Sequence, residues 1–226
     1  MKPALGNALD RMREDWNRRA KENARHFIAD GRLEWDEGDF YASGRATVAA
    51  EVLSDMGNVC QGRDPKAMRV LEIGCGAGRV TRALADIFGE VHSVDISSEM
   101  VGIARLALSG TPNANVYVND GANLDVLPEG PYHFAFSTAV FHHIGDRRVI
   151  EQYLTEVARV LEPGALFKFE VQGSKAVVDN PDESWLGASF TSREMVEMAV
   201  RCGFDPRYRN GEGEECFWWW LFKWPE

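Results

Sequence analysis

Val70-Leu71-Glu72-Ile73-Gly74-Cys75-Gly76-Ala77-Gly78 carries an apolar, β-branched stretch straight into three glycines at alternate positions. Val70, Leu71 and Ile73 suit an interior parallel strand, while Gly74, Gly76 and Gly78 allow positive φ and bring a ligand close to bare backbone. Val80, Leu84, Ile87 and Phe88 follow at helical spacing, so the next helix aims its N-terminal amides at the same place. The combination reads as a cofactor cradle; its plainer alternative is a tight turn between strand and helix.

The residues around the loop narrow the ligand. A dinucleotide fingerprint needs a third glycine where Arg79 stands, and no Gly-Lys-Ser or Gly-Lys-Thr follows to make a phosphate loop. Val91 to Ile96 reads as a second strand ending in Asp95, about twenty residues beyond the loop, where a carboxylate accepts ribose hydroxyls. The alternative for Asp95 is a helix cap, shared with Ser97 and Ser98. Ile96 and Met100 offer apolar faces to a base, or belong to ordinary core. A third strand, from Asn115 to Val118, runs into Asn119-Asp120-Gly121, either a ligand acceptor at a strand end or a turn chosen for its backbone tolerance. A fourth strand begins at His133 and places Ser137 at its carboxyl end, outside which open parallel sheets bind ligands. His142 and His143 follow at once, as proton-transfer groups or as packing residues of the loop. Neighbouring histidines on an extended segment point apart, so no metal site is expected.

The E-x-G-x-G-x-G form of Glu72–Gly78, together with Asp95, Asp120, the Ser137 strand end and the segment Ala158-Arg159-Val160-Leu161-Glu162-Pro163-Gly164-Ala165-Leu166, resembles the class I S-adenosylmethionine-dependent methyltransferases. The resemblance implies an α/β fold: a doubly wound, mostly parallel seven-stranded sheet of Rossmann-like type. An antiparallel C-terminal hairpin closes it, and an N-terminal helical lid (1–67) precedes the core (68–226). It implies S-adenosylmethionine as cofactor and S-adenosylhomocysteine as product. Glu72, Gly74, Cys75, Gly76 and Gly78 would form the cradle, with Asp95 on the ribose and Ile96 and Met100 beside adenine. Asp120 and Gly121 would meet the adenine amino group, Ser137 would lie beside the methionine part, and Arg45 would take the cofactor carboxylate. The implied reaction is direct displacement of the methyl by an oxygen, nitrogen or carbon nucleophile of a small molecule, with His142, His143 and Tyr41 as the available bases. Ser137-Thr138-Ala139-Val140 stands where base and glutamine-amide N-methylating enzymes carry Asn-Pro-Pro-Tyr or Asp-Pro-Pro-Tyr, which weighs against those acceptors. Three alternatives stay open: a non-catalytic S-adenosylmethionine-binding or interaction protein, an NAD-dependent reductase, and a polyamine synthase using decarboxylated cofactor.

Composition bounds the rest. A chain of 226 residues, 45% hydrophobic, buries one substantial core with an appended cap. A net charge of −10, from 35 acids against 25 bases, disfavours nucleic acid as a partner, because phosphate binding relies on clustered Lys and Arg. The four cysteines show no paired spacing, and no apolar run approaches the ~20 residues of a membrane span. The expectation is a soluble cytoplasmic protein, monomer or homodimer, acting on a small molecule without a membrane or nucleic-acid partner.

Before the glycine loop, Trp16, Ala20, Ala24, Phe27 and Ile28 define one amphipathic helix. Val48, Val52, Leu53 and Met56 define a second, beginning after Arg45; the pair reads as a lid or as helices packed on the sheet edge. After the fourth strand come a helix over 147–161, a strand over 165–171 and a polar insertion over 172–188 holding Trp185, either a substrate wall or a loose loop. A capping box at Thr191–Glu194 and a hairpin of 206–209 with 216–224 complete the chain. The aromatic run from Phe217 to Trp224 is too continuous for an exposed strand and reads as core or dimer contact, and only second as a substrate surface.

Overall fold

Apolar runs with flanking turn residues form the strands β1 (Arg69–Ile73), β2 (Glu90–Asp95), β3 (Ala114–Val118), β4 (Tyr132–Phe136) and β5 (Leu161–Val171). In the computed structural model, which describes residues 5–29, 32–174 and 184–225, these strands are parallel and are followed by β6 (Phe204–Asn210) and the antiparallel β7 (Phe217–Lys223). The sheet order is β3-β2-β1-β4-β5-β7-β6. The winding therefore reverses between β1 and β4, and a crevice opens outside the carboxyl ends of those strands. This is the mostly parallel, doubly wound sheet with a closing antiparallel hairpin that the sequence leads one to expect.

The helices α1 (Leu5–Ile28), α2 (Glu37–Glu51), α3 (Met56–Cys60), α4 (Arg79–Ile87), α5 (Ser98–Ala107), α6 (Arg147–Val160) and α7 (Ser192–Arg201) cover both faces. One core joins α6 and α7 to the sheet through Val149, Ile150, Leu154, Val157, Met195 and Ala199; the other joins α2, α3 and α4 through Val48, Val52, Val59, Val80, Leu84 and Phe88. Thr191 and Glu194 form the capping box of α7.

The N-terminal segment departs from the sequence reading in two places. The second helix starts nine residues earlier than Arg45 suggests, because the Asp36 side chain accepts the amides of Gly38 (2.8 Å) and Asp39 (3.3 Å) and so caps α2. It also ends at Glu51, leaving Leu53 exposed instead of on its buried face. α1 is interrupted at Asn23, whose backbone is extended and whose Oδ1 accepts the His26 amide at 3.2 Å, starting the helix again. α2 and α3 are layers of the second core, whereas α1 lies over the crevice.

β7 resolves the aromatic run by its two-residue period. Phe217, Trp219 and Leu221 enter the first core, while Trp218 and Trp220 line the opposite face around Lys168 of β5. Lys168 is buried with its Nζ 4.4 Å from the Trp220 ring centre, donating to the Glu51 carbonyl at 2.6 Å and pairing with Glu51 Oε2 at 3.0 Å. A buried ammonium held this way keeps both its charge and its hydrogen bonds.

Gly44 marks the closest approach of α2 to α4. A Cβ there would stand 2.2 Å from the Arg79 carbonyl oxygen. Gly44→Ala, which in an open helix would add about 1 kcal/mol, should here lower stability by about 1–3 kcal/mol through overpacking; denaturant unfolding of the two proteins checks the sign.

Candidate functional site

The crevice at the strand ends is a cleft of about 770 Å³ including its mouth. Its floor is the glycine loop. Gly74, Gly76 and Gly78 take φ values of +80°, +49° and +83°. The Gly74 and Cys75 amides donate to the Val94 carbonyl at 2.8 and 3.0 Å, locking the loop to the end of β2. At Gly74 the constraint is steric as well, since a Cβ would lie 2.1 Å from Val140 Cγ2 in the loop after β4.

Asp95 ties the loop to the next helix. Its Oδ2 accepts the Gly76 amide at 2.9 Å and its Oδ1 the Ser97 amide at 2.8 Å. Burial raises its pKa, against these backbone hydrogen bonds. Asp95, Glu72, Gly74, Cys75, Gly76, Ile96 and Met100 all line the cleft, so the structure brings most of the sequence-derived cradle together. Glu72 is buried, with Oε2 accepting from Thr81 Oγ1 (2.5 Å) and Ser93 Oγ (2.7 Å).

Other expected residues stand apart from the lining. Gly78 caps α4 behind the loop. Ser137 is buried and its Oγ donates to the Ile73 carbonyl at 2.9 Å, holding the ends of β1 and β4 together. Gly121, at φ +90°, packs on Ile96 and Leu9. Asp120 is exposed, its Oδ1 accepting the amides of Ala122 and Asn123 at 2.8 Å each; its neighbour Asn119 is buried, and Asn119 Oδ1 has no hydrogen-bond partner. Arg45 is exposed on α2. Tyr41 is buried against Phe40 and beneath the Arg82 guanidinium, 4.6 Å from its ring centre.

Among the lining residues, Arg79 and Tyr153 were not read as such from sequence, whereas α1 was read as a lid or an edge helix. Arg79 faces the cleft and donates from Nη1 to Thr47 Oγ1 at 3.0 Å, and among the described lining residues it is the one cation. Its position as the first residue of α4, directly after the glycine loop, was the available signal. Met12, Trp16 and Ile28 of α1 cover the cleft, as does Tyr153 of α6. α1 is fastened beside Asp95, where Ser97 Oγ donates to Asn17 Oδ1 at 2.7 Å, and across the cleft, where Arg19 Nη1 donates to Ser184 O at 3.0 Å and Ser184 Oγ to Asp15 Oδ2 at 2.6 Å. Of the 172–188 insertion, residues 175–183 lie outside the described ones; Trp185 stacks on His143 with ring centres 4.9 Å apart.

His142 and His143 are both buried behind the cleft wall. His143 Nδ1 lies 2.5 Å from the Trp185 carbonyl oxygen, and the two Nε2 atoms are 3.0 Å apart. Desolvation, with the neighbouring ring and, for His143, Arg19, lowers His142 to about 3 and His143 to about 4, so both rings are neutral. Behind His142 lies Glu170 of β5, fully buried, which no sequence motif singled out. Its period-two alternation with Lys168 inside an interior strand was the only sign.

Among the described residues no cluster of three or more His, Cys, Asp or Glu side chains is placed to hold a metal ion, and no helix is long and apolar enough to cross a membrane.

Comparison with known proteins places this geometry in context. Residues 70–164 match the family model described as a methyltransferase domain. Malonyl-[acyl-carrier protein] O-methyltransferase 1 of Ilyobacter polytropus is 32% identical over 112 residues, 49% of this chain and 40% of that protein. A ubiquinone biosynthesis O-methyltransferase of Sinorhizobium fredii is 30% identical over 118 residues, 48% of this chain and 46% of the relative. The chain thus matches less than half the length of these curated relatives. The crystal structure of magnesium protoporphyrin IX methyltransferase from Synechocystis PCC 6803 with bound S-adenosylmethionine superposes with a TM-score of 0.68 at 17% identity, covering 99% of this chain and 100% of that one. The DhpI complex with S-adenosylhomocysteine gives 0.68 at 18% identity, with 99% and 100% covered. These structures share the fold.

The buried carboxyls have a consequence for stability. Burial raises Glu72 to about 7 and Glu170 to about 8, opposed by hydroxyls from Ser93 and Thr81 in the first case and by the Ala139 amide and Thr138 hydroxyl in the second. Above pH ~4.5 the unfolded chain sheds these protons while the folded one still holds them, so this contribution declines from pH ~4.5 and is lost as pH passes about 8, with about 2 kcal/mol of the fall between pH ~6.5 and ~8. The depressed histidines act in the opposite direction below pH ~6.5, where only the unfolded chain charges them, and so offset the carboxyls between pH ~4.5 and ~6.5. Denaturant unfolding across pH 5–9 should show a nearly flat region up to about pH 6.5 and a decline beyond it, which Glu170→Gln reduces; an alkaline decline unchanged in Glu170→Gln contradicts the assignment.

Proposed function

We propose that the chain is a class I S-adenosylmethionine-dependent methyltransferase, which moves the sulfonium methyl to an oxygen, nitrogen or carbon nucleophile of a small-molecule acceptor by direct displacement. The observation that carries this reading is the convergence of the glycine loop and the Asp95 carboxylate on one cleft at the reversal point of the sheet. Bound there, the cofactor supplies an already activated methyl and leaves as the neutral thioether S-adenosylhomocysteine.

The protein's own residues hold and orient. Asp95 accepts the ribose hydroxyls from a carboxylate kept rigid by two backbone amides. Gly74, Cys75 and Gly76 supply bare backbone, and Ile96 and Met100 sandwich the base. The acceptor for the adenine amino group is Asp120 or the unpartnered Asn119 Oδ1 beside it. Arg79, in the lining where Arg45 is not, pairs the cofactor carboxylate, and Glu72 faces the ammonium. α1 serves as a lid whose Trp16 excludes water, fastened through Asn17 and Arg19. Alignment of nucleophile and methyl within such an enclosure is worth up to ~7 kcal/mol. Buried in neutral form, His142 and His143 build the wall and hold its shape, with no direct access to an acceptor.

Calorimetric titration with S-adenosylmethionine tests the assignment. Asp95→Ala should abolish binding and Arg79→Ala should weaken it about tenfold or more; undiminished binding by Asp95→Ala overturns the ribose role. NADH should not bind. Release of S-adenosylhomocysteine with hydroxyl, amine or carbon acceptors separates an enzyme from a protein that only binds the cofactor.

A further inference from the structure

The hydrogen-bond chain behind the cleft wall fixes every proton but one. His143 Nδ1 faces the Trp185 carbonyl, which only accepts, so His143 carries its hydrogen on Nδ1 and offers a lone pair at Nε2. His142 Nε2, 3.0 Å away, must then be the donor, leaving a lone pair on His142 Nδ1. That atom is buried without a hydrogen-bond partner and lies 3.7 Å from Glu170 Oε1; Glu170 Oε2 is likewise buried and unpartnered. Two acceptors therefore face each other 3.7 Å apart, beyond hydrogen-bond reach, in a buried place, and a proton on the Glu170 carboxyl removes the repulsion between them.

Glu170 is also coupled to the cleft. Its Oε1 accepts the Ala139 amide, and the Thr138 hydroxyl lies beside its carboxyl; Thr138 and Ala139 are both lining residues. Ala139 is held at φ +56°, a left-handed conformation that a non-glycine residue keeps only under constraint. The next residue, Val140, packs on Gly74. The Glu170 carboxyl thus sits under the wall that meets the glycine loop, where the methyl-bearing end of the cofactor belongs.

We propose that Glu170 senses the charge of the bound cofactor: it holds one proton with His142 in the unloaded enzyme, releases it when the cationic sulfonium is seated, and keeps it when the neutral thioether is seated. The inference rests on the cofactor reading above. It makes Glu170 a residue that discriminates substrate from product, since a carboxylate formed on loading attracts a sulfonium and has no such attraction for a thioether.

The charged and titratable groups around Glu170 are consistent with this role. Glu51 of α2 adds a like charge that holds the proton on, while Lys168, two residues earlier on the same face of β5, is engaged by Glu51. His142 from the loop after β4 is the one facing base, and β7 presents the uncharged Trp218 opposite. Desolvation keeps the carboxyl neutral near pH 7. Glu72, the other buried acid of elevated pKa at the cleft, meets a part of the ligand that is the same in both forms, so comparing the two ligands isolates the sulfonium.

The test is calorimetry of S-adenosylmethionine and S-adenosylhomocysteine binding to the full chain at pH 7.5, in buffers of different ionisation enthalpy, with a pH series from 6.5 to 9. Wild type should release about 0.5 proton more with S-adenosylmethionine than with S-adenosylhomocysteine, and its preference for S-adenosylmethionine should grow about tenfold as pH rises. Glu170→Gln should bind S-adenosylhomocysteine as wild type does, which reports its folding, and should lose both the extra proton and the pH-dependent preference; Glu72→Gln should retain them. Equal proton release for the two ligands in wild type, or a difference that survives in Glu170→Gln, overturns the inference. Binding of neither ligand overturns the cofactor reading on which it stands.

Discussion

The Asp95 carboxylate is the constraint on which the site depends. It stands at the end of β2, takes the Gly76 amide with one oxygen and the Ser97 amide with the other, and so fixes the glycine loop and the start of α5 relative to one another. Ser97 then reaches Asn17, which draws α1 over the cleft. One half-buried acid thereby sets the floor, one wall and the attachment of the cover. It does so at the cost of desolvation, which the two backbone amides offset by stabilising the charged form.

Around that acid the electrostatics are lopsided. Glu72 and Asp95 line the cleft and Glu170 lies just beneath its wall, while Arg79 is the one cation among the described lining residues. Isolated buried carboxyls are costly, and desolvation raises Glu72 to about 7 and Glu170 to about 8, so that near pH 7 Glu170 is mostly protonated and Glu72 about half so. A ligand with two positive centres and one carboxylate complements this distribution. A dinucleotide, with two phosphates, would meet acids where it needs donors.

Much of this was legible in the sequence because it depends on local signals. The apolar run into Gly74-Cys75-Gly76, the acid closing β2 and the strand end at Ser137 are each encoded within a few residues, and strand, turn and helix agree. What was not legible depends on side chains meeting across the fold. The start of α2 was misplaced because Asp36 caps a turn rich in acids and aromatics whose helical face shows only against α4 and α1. Arg79 was noticed as a missing glycine and not as a cleft residue. Glu170 sits in an apolar strand, and only its burial beside His142 gives it meaning. The histidine pair, prominent in sequence, proves to be an enclosed part of the wall.

The central claim is that this cleft holds an S-adenosyl ligand by its ribose on Asp95. Diffraction from crystals grown with S-adenosylhomocysteine tests it most directly. The account predicts ribose hydroxyls within hydrogen-bond distance of the Asp95 carboxylate, adenine between Ile96 and Met100, and the thioether sulfur beside Thr138 and Ala139. Ligand density elsewhere on the protein, or a ribose turned away from Asp95, would contradict it.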